Sequence, residues 1–319
     1  MIPNHSRSKI IRMPKTLNVN SINQVLSEFK DVFDYENQRR TGYVLDLSKI
    51  KRINVLGTLV VYKIIEYSVE KKCFLNPEIH YEDLIEDKWA EFEFLPLINS
   101  YIREVDSSQK FKNLKIQLTD KFILAPQPLL RETDFTDKFL KNKFLPKIKE
   151  YYNGRDKVIS MIFTCFSEIL LNFWEHAVDD TKSIMIADGN KDYMEIACSD
   201  TGNGILSTLK KNPKYKDLPD LKIISKCVNK NITSKENTYH MGFGLWIIDQ
   251  IVKEIKGRFH LFSEGVHYSN EYGKIKTSKT GFWQGTIEYI ALPLNNAKSL
   301  CDIDRFNTKE MDNIKIDFL

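Results

Sequence analysis

Residues 155–178 constrain the fold more than any other stretch. Thr164, Glu168, Asn172 and His176 recur every fourth residue, which at helical pitch puts them in one narrow stripe. Met161, Ile162, Cys165, Phe166, Ile169, Leu170 and Phe173 flank the stripe on both sides. A helix this apolar must pack over most of its circumference. The polar line is then either its solvated face or the floor of a cleft. In a cleft, the Asn172 carbonyl oxygen suits a hard cation such as Mg²⁺, and the Glu168 carboxylate can orient or deprotonate a nucleophile.

Two glycine-rich runs follow. Asp200-Thr201-Gly202-Asn203-Gly204 comes directly after a strand-like segment, Met194 to Ser199. Glycines there permit a tight turn and a close backbone approach to a ligand; such a turn also exists without one. His240-Met241-Gly242-Phe243-Gly244-Leu245 opens an apolar helical pattern, where free backbone N–H groups suit a phosphate. A tight turn before a core helix reads the same way. G-x-x-x-x-G-K-[ST] is absent, and the glycines do not follow the G-x-G-x-x-G dinucleotide pattern.

The pattern of elements predicts two α/β regions. Strands are expected at 9–13 and 43–47 and helices at 22–34 and 57–69, giving a small domain over 1–108. A second domain, 109–296, is expected to be α+β, a helix layer beside a largely antiparallel or mixed sheet. It has strands at 114–118, 121–124, 183–187, 193–199, 259–263 and 286–292. Helices are expected at 134–152, interrupted by Pro146, then 155–178, 218–228 and 243–256, the last stopped by Gly257. Ala125-Pro126-Gln127-Pro128 reads as a breaker, and 264–285 as a long connection. Residues 297–319 form a tail.

Composition excludes several function classes. The net charge of +4 is spread along 319 residues, so no nucleic-acid footprint is visible. Apolar runs fall well short of the ~18 residues a membrane span needs, and the basic N-terminus lacks the apolar segment of a signal peptide. Five scattered cysteines without a C-x-x-C pair fit a reducing compartment, hence a cytoplasmic protein.

Taken together, the three motifs resemble the ATP-binding domain shared by gyrase, MutL, heat-shock chaperones and sensor histidine kinases. This is the GHKL, or Bergerat, fold, a two-layer α/β sandwich, and the resemblance spans about residues 112–294. Glu168-Ile-Leu-Leu-Asn172-Phe-Trp-Glu-His176-Ala177 is most similar to the serine-kinase, anti-sigma-factor branch. The resemblance implies ATP and Mg²⁺ as cofactors, Asn172 as the metal ligand and Glu168 as the general base. It implies that Asp200 contacts adenine, that Gly202 and Gly204 shape that pocket, and that Gly242, Gly244 and Leu245 belong to the phosphate lid. Gly285-Thr286 is similar to the closing Gly-Thr, whose Thr reaches adenine. His240 stands where the lid motif often opens with glycine, and His176 reads as a structural partner of its helix.

The N-terminal region resembles a STAS domain, the fold of anti-sigma-factor antagonists, through Val44-Leu45-Asp46-Leu47-Ser48 and Ile53-Asn54-Val55-Leu56-Gly57. Antagonists carry a phosphorylatable Ser where this chain has Leu56, which implies docking rather than phosphorylation. The resemblances imply a protein kinase acting on Ser or Thr of a protein partner, or an ATP-driven switch or sensor whose first domain is the interaction module. Homodimerisation is left open. A histidine kinase is disfavoured because His80-Tyr81-Glu82-Asp83-Leu84 lacks the Pro of a phospho-acceptor box and no two-helix dimerisation segment follows it. A gyrase-type machine is disfavoured by the short segment after the last strand.

Overall fold

The computed structural model describes residues 8–34, 42–71, 79–80, 86–102, 116–129, 140–176, 183–232 and 242–299. The first third forms β1 (Ser8–Arg12), β2 (Thr16–Leu17), α1 (Ile22–Phe33), β3 (Gly42–Asp46), β4 (Arg52–Ile53), α2 (Val55–Glu70), β5 (Ile79–His80), α3 (Glu86–Glu91) and α4 (Phe94–Ile102). Next come β6 (Ile116–Leu118), β7 (Phe122–Pro128), a π-helical turn at Leu140–Phe144, α5 (Leu145–Tyr151), α6 (Asp156–His176), β8 (Ile184–Gly189) and β9 (Tyr193–Ser199). The chain then forms α7 (Ile205–Leu209), α8 (Asp220–Lys226), α9 (Gly244–Glu254), β10 (Arg258–Ser263), β11 (Val266–Glu271), β12 (Lys274–Lys279), β13 (Thr286–Pro293) and a final 3-10 turn, Leu294–Ser299.

Eight strands make one sheet in the order β12-β11-β10-β13-β9-β8-β7-β6, and every pairing in it is antiparallel. With its helices this is an α+β arrangement. The N-terminal strands make a separate parallel sheet, β1-β3-β5, and a two-stranded parallel pair, β2-β4.

Side-chain alternation along the strands divides the interior in two. Met194, Ile196 and Cys198 of β9 and Ile290 and Leu292 of β13 meet the apolar faces of α5, α6, α8 and α9. The intervening positions, including Ala197, Ile287, Tyr289 and Ala291, meet α1, α2 and α4 on the opposite face. The large sheet is therefore a wall shared by two cores, and the N-terminal elements cover its back. Each fully buried Ile, Leu, Val or Phe contributes about 1.5–3 kcal/mol relative to exposure.

Helix α2 is apolar around its circumference, the pattern of a helix without a solvent face. Its residues from Val55 to Ser68 are all buried. Lys63 and Glu66 lie within this surface at 1% and 2% exposure and pair at 2.6 Å. Buried charges are tolerated only when paired in this way.

Two anchors set the direction of the helix layer. Arg155, just before α6, donates from Nη2 to the Leu294 carbonyl at 3.3 Å and from Nη1 to the Lys191 carbonyl. At the end of α9 the chain turns through Lys256 (φ 55°) into β10. The start of α6 and the end of α9 thus lie where β9 begins and β13 finishes. The end of α6 and the start of α9 must lie at the other end of the sheet.

Several expectations are corrected. The segment 264–285 is not a bare connection but carries β11 and β12. Their hairpins turn at Glu264-Gly265 and Tyr272-Gly273, both residues of each pair having positive φ, the signature of a two-residue type I′ turn. Ala125-Pro126-Gln127-Pro128 does not break the strand but belongs to β7, where the register against β8 shifts between Leu124 and Gln127. A bulge accommodates proline in a sheet. The helical stretch expected to be interrupted at Pro146 changes there from a π-helical turn, Leu140–Phe144, to α5, with the proline in the first turn of α5; residues 130–139 lie outside the described residues. Lys256, not Gly257, takes the left-handed conformation after α9. A Cβ on Gly257 would lie 2.6 Å from the Ala291 carbonyl oxygen, so glycine is required there by close packing. Among the described residues no helix is long and apolar enough to cross a membrane.

Candidate functional site

At the sheet end where α6 finishes and α9 starts, β9 and β10 also terminate and β13 begins. Side-chain alternation points Asp200 and Thr286 toward the helices. The motifs scattered over residues 168–286 are thereby gathered at one edge of the fold.

The first cluster joins α6 to α9. Glu168 is 7% exposed and Asn172 is half-buried one turn further on. A Cβ on Gly244 would lie 2.8 Å from Glu168 Oε2 and 2.9 Å from Asn172 Oδ1, so the carboxylate and the amide both press on the glycine that opens α9. Asn172 Nδ2 is buried and has no hydrogen-bond partner among the described residues. Phe243, the residue before α9, makes no side-chain cap bond, and the helix start turns its first backbone N–H groups toward this end of the fold. Gly242 has φ 70°, a conformation glycine adopts freely. A Cβ there would also strike the Ile232 carbonyl oxygen at 2.4 Å. Leu245 packs against the helix-side core.

The second cluster joins β9 to β13. Asp200 is 2% exposed. Its Oδ1 accepts the Gly202 N–H at 2.8 Å and its Oδ2 accepts the Thr286 N–H at 3.1 Å. Its carbonyl accepts Trp283 Nε1–H at 2.8 Å. A Cβ on Gly285 would lie 2.2 Å from Asp200 Oδ1, so only glycine fits before Thr286. The carboxylate thus pins the turn to the neighbouring strand.

Neither Gly202 nor Gly204 adopts positive φ. Gly202 supplies the N–H that Asp200 accepts. Gly204 makes room for Glu264, whose Oε2 would lie 2.3 Å from an added Cβ. That carboxylate accepts the Ser207 N–H at 2.9 Å and also bonds the Ser207 hydroxyl, fastening α7 to the β10–β11 turn. Its part here is architectural. His240 and Met241 lie outside the described residues, as does the side chain of His176.

Sequence reasoning missed Glu288. It lies on β13 two residues beyond Thr286 and faces the same side, opposite Cys198 of β9. It is 2% exposed, and Oε2 is buried without a partner among the described residues. Burial, reinforced by the charge of Asp200, pushes its carboxyl up to about 8. The only sequence signal is a charged residue in the otherwise apolar run 287–292, and its direction is unreadable until the register is known.

Among the described residues no group of three or more His, Cys, Asp or Glu side chains is placed to hold a metal ion. A Mg²⁺ ion held mainly by nucleotide phosphates and water needs only one or two protein oxygens. The Asn172 side-chain oxygen, beside the start of α9, is an atom of the kind that demand calls for. Cys165, Cys198 and Cys227 are buried free thiols. Burial pushes Cys165 up to about 12, with the charge of Glu168 adding to it, so it is no nucleophile at neutral pH. No protein-family model, curated protein or solved structure matches the chain.

Proposed function

We propose that the chain is a Mg²⁺-ATP-binding regulatory protein of the Bergerat type, a protein kinase acting on Ser or Thr of a protein partner. One observation carries this reading. Glu168, Asn172 and Gly244 converge at the same sheet end as Asp200, Gly285 and Thr286, although these residues span more than a hundred positions of sequence. In this reading Asn172 holds Mg²⁺ and Asp200 with Thr286 holds the adenine. The start of α9 faces the phosphates, and Glu168, one turn before the metal ligand, receives the proton of the attacking hydroxyl.

A second reading, an ATP-driven switch or sensor, draws on the N-terminal elements. The start of α2 is where a STAS-type antagonist presents its phosphorylated serine. Here Leu56 is fully buried, and the N-cap Asn54 donates to Glu195 Oε1 at 3.3 Å and to the Tyr289 hydroxyl at 3.4 Å on the back of the large sheet. That face is occupied within the chain itself, and β9 and β13 run from it to the candidate nucleotide site.

Titration calorimetry with ATP, with Mg²⁺ and with EDTA, tests the shared part of both readings. Asn172→Ala is expected to abolish the Mg²⁺-dependent share of the affinity while the protein stays folded; an unchanged isotherm removes the metal role. Labelled ATP with candidate partners then separates the readings, since label on a protein marks the kinase and phosphate release alone marks the switch.

A further inference from the structure

Resting on the Mg²⁺-ATP reading, we propose that Glu288 is the residue that selects adenine, its carboxyl group serving as donor and acceptor at once toward the 6-amino group and the neighbouring ring nitrogen of the base. Glu288 and Cys198 are directly paired on β13 and β9. Asp200 and Thr286 are the next residues along these strands that face the helices, bonded to each other through Asp200 N–H to the Thr286 carbonyl and Thr286 N–H to Asp200 Oδ2. The four make a patch on one face, with Asp200 and Thr286 at the strand ends and Glu288 and Cys198 one pair further into the sheet. Same-face neighbours on a strand are about 7 Å apart, roughly the span of a purine.

Glu288 is anomalous without a ligand. A buried polar atom left unpaired is costly, so such atoms call for a reason. Two residues away the sheet carries a carboxylate whose oxygens are both engaged by backbone N–H groups. Glu288 has no such support. Its neighbours cannot neutralise it. Asp200 repels its charge. Cys198 and Cys227 are buried thiols that burial raises above their ordinary range. Asp249 of α9 is committed to the Tyr268 hydroxyl at 2.7 Å and Asn270 Nδ2 at 2.8 Å. A carboxyl titrating at about 8 is predominantly protonated at pH 7.

A protonated carboxyl offers one donor and one acceptor side by side. Adenine shows the complementary pair on either side of C6, the amino donor next to acceptor N7 or N1. Guanine has acceptor O6 where adenine has its amino donor, so its O6/N7 pair offers two acceptors and its O6/N1–H pair is met only with the acid's donor and acceptor exchanged. A neutral acid therefore matches adenine, and ionisation removes the match.

The test is calorimetric titration of the full chain with Mg²⁺-ATP from pH 7 to pH 9, with folding followed by circular dichroism, for the parent and Glu288→Gln. The parent is expected to lose about tenfold in affinity, because one pH unit above its titration point the competent form is about a tenth of the total. Glu288→Gln keeps a donor beside an acceptor at every pH and is expected to bind ATP at pH 7 within a few-fold of the parent and to stay flat to pH 9. A parent that binds ATP with no fall, or a variant that falls as the parent does, overturns the role of Glu288 while leaving the ATP site standing. A folded parent that binds no ATP at any pH overturns the nucleotide reading itself, and this inference with it.

Discussion

Gly244 is pressed against Asn172. A Cβ on the glycine would stand 2.9 Å from Asn172 Oδ1 and 2.8 Å from Oε2 of Glu168, so the start of α9 and the polar stripe of α6 share a contact that only a hydrogen side chain permits. Both groups are side-chain tips able to swing aside. Gly244→Ala is therefore expected to leave the fold intact, with alanine's better helix propensity returning up to about 1 kcal/mol. The displaced amide and carboxylate lose their geometry, and Mg²⁺-ATP affinity is expected to drop at least about tenfold, or about 1.4 kcal/mol. Calorimetry on the variant checks this; affinity within twofold of the parent would remove the contact from the site.

Asp200 carries structural as well as binding weight. Each oxygen accepts a backbone N–H, from Gly202 and from Thr286. An amide at this position turns an NH₂ group toward one of those donors. Asp200→Asn is expected to destabilise the protein by about 1–3 kcal/mol, besides weakening adenine nucleotides. Urea unfolding measures the first effect. A variant as stable as the parent would show that the carboxylate does not pin the turn.

Stability should peak near pH 6.5. Burial above all, with His267 and Arg258 adding, lowers His260 from 6.5 to about 3. Burial, then Lys276, lowers His267 from 6.5 to about 4. Glu288 moves the other way, from 4.5 up to about 8. Between pH 6.5 and 4.5 unfolding takes up protons at both histidines and releases one from Glu288. The net uptake is about one proton, so stability falls on acidification by about 1.4 kcal/mol per pH unit. From pH 6.5 to 8 the unfolded histidines lose their remaining protons, the proton that Glu288 releases on unfolding outweighs what they take up, and stability falls as pH rises. Urea titrations at pH 5, 6.5 and 8 are expected to show both limbs, and Glu288→Gln to lack the alkaline one. A flat profile, or an alkaline limb that survives the substitution, contradicts these assignments.

The sequence exposes what depends on local pattern. The stripe on α6 predicts a helix at 155–178, and the structure has one at Asp156–His176. The apolar run of α2 is likewise readable. Strand β12, Lys274-Ile-Lys-Thr-Ser-Lys279, is mostly exposed at the sheet edge and lacks the apolar alternation that would announce it. The prolines of β7 conceal a strand because a bulge absorbs them. Long-range facts are not legible. Nothing local tells that α2 covers the back of the sheet, that Gly285 lies against Asp200, or that Glu288 faces the helices rather than Tyr289's side. The glycine boxes reveal their position but not their reason, since Gly204 serves Glu264 and Gly244 serves Asn172.

The account stands on nucleotide binding at the edge where α6, α9, β9 and β13 meet. Thermal unfolding of the full chain with and without Mg²⁺-ATP tests it most directly. A ligand at about 100 times its dissociation constant stabilises the native state by about 2.7 kcal/mol. The melting temperature is therefore expected to rise by several degrees with Mg²⁺-ATP, and by less when Asn172 is replaced by Ala. A melting curve that does not move at millimolar Mg²⁺-ATP would contradict the account.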